Sequence, residues 1–139
     1  MVTYSDSVIV DPAVPQRMPE PVREAREAAL GLAGFGIVYP VILGLTVGGS
    51  AAAAGAVQFA PGWLLGLAVL GFGTGAVVVR RAAIVLAALQ IIVGTRIAGI
   101  TDLGVVPVLT VFYAWGTSAA VIHLLRQPHA RAWFAGRGR

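Results

Sequence analysis

A chain of 139 residues in which 58 % of side chains are apolar and 12 % are charged cannot cover itself with a surface that water will wet, because soluble domains carry about 25 % charged residues. The formal charge of +4 comes from ten arginines and six acids; the arginines stand at the ends of apolar runs with no basic–aromatic groove, which excludes a nucleic-acid partner and makes a lipid bilayer the implied solvent. The absence of cysteine excludes disulfide frameworks, thiolate nucleophiles and cysteine-ligated zinc.

A hydrocarbon core of about 30 Å requires about 20 helical residues per crossing, so the length admits four spans and hardly a fifth. Residues 1–27 hold four of the eight prolines and five of the six acids, a composition that resists helix and buries no core, so they read as a flexible cytoplasmic tail. No cleaved signal is expected, since acids and prolines stand where a basic patch and an apolar run would be needed. Pro21, Glu20 and Glu24 suit a helix start. The first span is expected over 28–48 with Pro40 near its centre, where neighbouring helices can absorb a kink. Residues 49–61 carry no charge and read as the first outer loop, although the Ala51–Ala54 run could equally extend a helix.

The second span is expected over 62–79 and the third over 82–99, with only Arg80 and Arg81 between them. A second version starts the second helix near Ala51, kinks it at Pro61 and ends it among Gly71, Gly73 and Gly75; the third then starts near Ala76 and holds the arginine pair in its first turns. The fourth span is expected over 105–125, with Pro107 in its first turn, followed by a basic, aromatic tail over 126–139. The predicted fold is all-α, an antiparallel bundle of four transmembrane helices behind a disordered N-terminal tail.

Lys and Arg in short loops set orientation. Nine arginines (17, 23, 26, 80, 81, 126, 131, 137 and 139) fall at one end of this layout and Arg96 alone at the other. The pattern places both termini in the cytoplasm and the chain in the plasma membrane as a multi-pass protein.

Gly44 and Gly48, Gly62 and Gly66, and Gly71 and Gly75 are each four apart, a spacing that puts each pair on one helix face and lets another backbone approach closely. Either packing within the chain or association with a partner uses such faces. Gly71 to Gly75 has no preceding strand and no following lysine, so it is no phosphate loop. Thr46-Val47-Gly48-Gly49 lacks the re-entrant pore loop of a potassium filter. Small multidrug transporters share the four-helix plan, but proton coupling there requires an acid in the first span, and this one has none. Fluoride channels of this size rely on asparagine, which the chain lacks.

Gln90 near the middle of the third span, and Tyr39 and Tyr113 near the middle of the first and fourth, need partners in hydrocarbon; they read as interhelical glue or as a ligand-facing polar cluster. Arg96 lies about one turn inside the outer end of the third span and Asp102 follows in the next turn, which suggests an outer ionic lock or an anion contact. His123 and His129 fall short of a metal coordination sphere, so neither a metal nor a cofactor is expected. Arg126, Arg131, Trp133 and Phe134 are expected to anchor the tail in the headgroup layer, aromatic rings in lipid and arginines on anionic headgroups.

The Arg80-Arg81-Ala82 turn into an Ala/Leu-rich span, with the closing Pro128-His129-Ala130-Arg131-Ala132-Trp133-Phe134, resembles the small uncharacterised four-helix integral membrane proteins of high-GC Gram-positive bacteria. The likeness runs from about Trp63 to Phe134, although the Trp that often follows the basic pair in those proteins is missing. It implies a small bacterial membrane protein and carries over no catalytic or binding residue. Without a nucleophile–base pair, a carboxylate pair or a metal set at membrane depth, the expected function is non-enzymatic: an accessory or scaffold subunit that packs on a larger membrane protein, or on itself, through glycine-rich faces. The alternative is a small transporter or pore-forming oligomer with a polar path near Gln90, Arg96 and Asp102.

Overall fold

The computed structural model of the chain describes residues 17–98 and 105–136; Asp102, the last three residues and residues 1–16 of the tail read over 1–27 lie outside the described residues, whereas 20–27 are helical and hold the buried Val22 and Ala25, so that stretch is no flexible tail. The described residues form five α-helices, α1 (Glu20–Thr46), α2 (Gly49–Leu70), α3 (Val77–Ala98), α4 (Val105–Arg126) and α5 (Pro128–Gly136), with one 3-10 turn (Gly71–Thr74) between α2 and α3. The first four are long and apolar enough to cross a membrane. They pack antiparallel in a ring, each against the next, with α4 closing onto α1. The expected all-α four-helix fold is the fold observed.

The start of α1 follows from its prolines. The Pro19 carbonyl accepts from the N–H groups of Val22 and Arg23 at 3.0 and 3.1 Å, and Pro21 in the first turn has no N–H to leave orphaned. Its 27 residues span about 40 Å, so the charged first turns project beyond the hydrocarbon. Pro40 stays inside the helix, as expected.

Residues 49–61 are the first half of α2 and not an outer loop. An alanine run has the highest intrinsic helix propensity, and the turn before it needs only Val47 and Gly48. Gly48 supplies the backbone there, with φ +128°, a region that other residues rarely adopt. Pro61 lies mid-helix, and α2 ends at Leu70.

The α2–α3 connection therefore falls at the glycine cluster and not at Arg80–Arg81. Gly75 takes the left-handed conformation (φ 66°) that closes the 3-10 turn, and the Thr74 hydroxyl donates to the Gly71 carbonyl at 2.7 Å. A left-handed residue is readily supplied by glycine and not by arginine. Arg80 and Arg81 sit in the first turns of α3, so the pair is helical and not a turn. The core between the helices holds Leu32, Phe59, Leu65, Val69, Ala83, Ala87, Ala114, Val121 and Leu125. The outer faces are just as apolar, with Leu45, Val57, Leu67, Val78 and Val85 all exposed, as expected where lipid tails are the solvent.

Candidate functional site

Gln90 is 0 % exposed on the inner face of α3. Its Oε1 accepts from the Gly62 N–H at 2.8 Å, and its Nε2 donates to the Gln58 carbonyl at 2.9 Å. In an unbroken helix those two backbone groups bond to each other, because the N–H of residue i meets the carbonyl of residue i−4. Pro61, one residue before Gly62, has no N–H for the Val57 carbonyl and its ring crowds that carbonyl, which opens the ladder. The Gln90 amide, an acceptor and a donor in one plane, fills the opening. Gly62 lets it in, since a Cβ there would stand 3.2 Å from Gln90 Oε1.

Gln90 is thus a structural bridge from α3 to the broken part of α2. Arg96 is six residues further along α3, about 120° around the helix, and exposed. Gln90 and Arg96 therefore do not converge on one path, and the Arg96–Asp102 pair lies outside the described residues. Tyr39 and Tyr113 belong to an aromatic cluster instead: the Phe35 ring lies 5.8 Å from Tyr39, 5.6 Å from Phe59 and 4.9 Å from Tyr113, joining α1, α2 and α4. Buried polar atoms without a hydrogen-bond partner among the described residues are Gln58 Nε2, Trp63 Nε1 and Ser118 Oγ.

The basic end is built from three elements. Arg80 Nε donates to the Leu125 carbonyl at 3.0 Å, satisfying one of the last carbonyls of α4 with a positive charge where the helix dipole is negative. The same guanidinium faces the like charges of Arg131 and Arg81. Arg126 and Arg131 are exposed, as an interfacial role requires, and His123 and His129 are exposed on α4 and α5.

Trp133 and Phe134 are not placed as expected. Both are buried: Trp133 Nε1 donates to the Phe72 carbonyl at 3.2 Å, and the Phe134 ring meets Phe72 edge-on at 5.4 Å. The break at Gln127–Pro128 folds α5 back across the end of the bundle, where the 3-10 turn presents a carbonyl and an aromatic ring. A protein surface of that kind satisfies both the indole N–H and the two rings.

Of the glycine pairs, only Gly62 and Gly66 form a common helix face, and that face points into the chain. A Cβ on Gly66 would stand 2.6 Å from Ala33 Cβ, and one on Gly44 would stand 3.2 Å from Ala52 Cβ. Gly48 and Gly75 serve turns, and Gly71 packs on Val79. Close contacts also arise at Gly36, where a Cβ would meet Phe59 Cβ at 2.8 Å, and at Gly94, where it would meet Trp115 Nε1 at 3.0 Å. These depend on aromatic residues from other helices, which no spacing along α1 or α3 announces. Gly66→Ala will lower the thermal unfolding temperature in detergent. Gly34→Ala, with nothing within 4 Å of the new Cβ, will leave it unchanged or raise it, because alanine is about 1 kcal/mol better in a helix. Equal effects of the two substitutions would overturn the packing argument.

Two outward features remain. Between α1 and α2 runs a groove of about 610 Å³, lined by Leu30, Ala33, Ile37, Pro40 and Val41 and by Trp63, Gly66, Leu67 and Leu70; beyond Pro40 and Val41 a second hollow of about 420 Å³ continues toward the α1–α2 turn. On α4, Phe112, Gly116, Ala119 and Ala120 are exposed, and a Cβ on Gly116 would meet nothing within 4 Å. Compared with protein-family models, curated proteins and solved structures, the chain matches none of them.

Proposed function

We propose that this chain is a non-enzymatic accessory or scaffold subunit of a plasma-membrane assembly, and that it receives a transmembrane helix of a larger partner on the outer face of α4. The observation that carries the reading is Gly116: exposed, with open space where a side chain would stand, and one turn from the small exposed Ala120. Small residues four apart let a second helix backbone approach closely, and Phe112 one turn earlier offers it an aromatic wall. Arg17, Arg23, Arg26, Arg80, Arg81, Arg126 and Arg131 gather at the end formed by the start of α1, the α2–α3 connection and α5. The positive-inside rule supports a cytoplasmic location for that end. On the same reading the chain is one of the small four-helix bacterial membrane proteins that its segment 128–134 resembles.

A photo-crosslinking side chain at Ala119, activated in native membranes, will give a discrete adduct with another membrane protein. Gly116→Ile will abolish that adduct while leaving the thermal unfolding temperature of the purified chain unchanged. Adducts of the chain with itself alone, or no adduct, would overturn the reading.

A further inference from the structure

We propose that the groove between α1 and α2 binds one acyl chain of an anionic phospholipid whose phosphate is held by Arg26. The groove runs from Leu30 to Val41, eleven residues or about 16 Å of helix, which matches one leaflet of a hydrocarbon core about 30 Å thick. The groove is apolar along its whole length and open toward the bilayer, a shape that accepts a hydrocarbon chain lying along α1. Its floor is low because Gly66 and Ala33 meet there without larger side chains.

On the two helices that line the groove, the described charges stand at one end. Arg26 is four residues before Leu30, seven before Ala33 and eleven before Ile37, a spacing that keeps all four on one helix face. Arg26 is therefore one turn beyond the groove, at headgroup depth, and it is exposed. Among the described residues the one ion pair joins Arg23 to Glu27, at 3.9 Å, which leaves Arg26 without an acidic partner there. At the far end, residues 46–50 at the α1–α2 turn carry no charge, and the exposed Arg96 at that end of the bundle stands on α3 and not on either helix that lines the groove.

Delipidated protein in detergent, titrated with phosphatidylglycerol or phosphatidylcholine of identical chains and observed by native mass spectrometry, will bind the first lipid about fivefold more tightly, the effect expected of one arginine at a membrane surface. R26Q will erase that preference; R81Q, at the same end but on α3, will keep it. In vesicles, phosphatidylglycerol brominated mid-chain will quench the Trp63 fluorescence of the full chain more than brominated phosphatidylcholine does, a difference missing in Trp63→Phe. Equal binding of the two lipids, equal loss in R26Q and R81Q, or quenching independent of headgroup would overturn the proposal. So would a Trp63 shielded from quenching by a second copy or a partner helix.

Discussion

Gln90→Leu will destabilise the bundle by about 2 kcal/mol, measured by unfolding in mixed detergent micelles. The substitution keeps the volume apolar but leaves the Gly62 N–H and the Gln58 carbonyl, both bonded to the Gln90 amide, with no partner beside Pro61. An unsatisfied buried backbone group costs about 1–3 kcal/mol. The two orphaned groups can recover part of this by closing on each other, which keeps the loss near the middle of the range. Pro61→Ala supplies the missing N–H to the Val57 carbonyl and removes the ring that holds the ladder open. In that background Gln90→Leu will therefore lose less, and the difference between the two backgrounds is the coupling of clamp and kink, obtained from a double-mutant cycle. If Gln90→Leu has the same effect in both backgrounds, the amide is not compensating for Pro61.

The second large effect is expected at the basic end. Phe134→Ala removes a fully buried ring that packs on Phe72, a change of about 3–5 kcal/mol when the site cannot collapse. Because α5 is nine residues long and peripheral, the loss will appear as undocking of that helix rather than as unfolding of the bundle. Trypsin will then cut after Arg126 and Arg131 much faster in Phe134→Ala than in the parent chain, while the main unfolding transition moves little. Trp133→Phe keeps most of the packing and removes the bond to the Phe72 carbonyl, so its cleavage rate will lie between the two. A tail anchored in headgroups would give a parent chain cut as fast as the variant, and that result would remove the docked α5.

Gln90 and Pro61 also mark where reading along the chain stops. A glutamine in the middle of an apolar run announces a bundle-facing position, because hydrocarbon offers an amide no partner. Its partner is a pair of backbone groups on another helix, exposed only because a proline opened that helix, and no local pattern carries this information. Arg80 behaves alike: its charge places it at a membrane edge, whereas the Leu125 carbonyl that it caps belongs to a helix 45 residues away.

Four helices long and apolar enough to cross a membrane, an all-α bundle and the gathering of seven described arginines at one end were determined by the sequence alone, since hydropathy per helical turn and charge at helix ends are properties of short segments. The tertiary structure decided where α2 ends, because the glycine cluster and the arginine pair fit the hydropathy pattern equally well and Gly75, unlike an arginine, readily takes the left-handed backbone that closes the turn. It decided also that Gly62 and Gly66 face α1 while Gly116 faces outward, since equal spacings on two helices say nothing about which neighbour lies opposite. Finally it turned Trp133 and Phe134 from lipid toward Phe72: an aromatic residue at a membrane edge takes the environment that buries its ring and pairs its N–H, and that environment exists only once the helices have assembled.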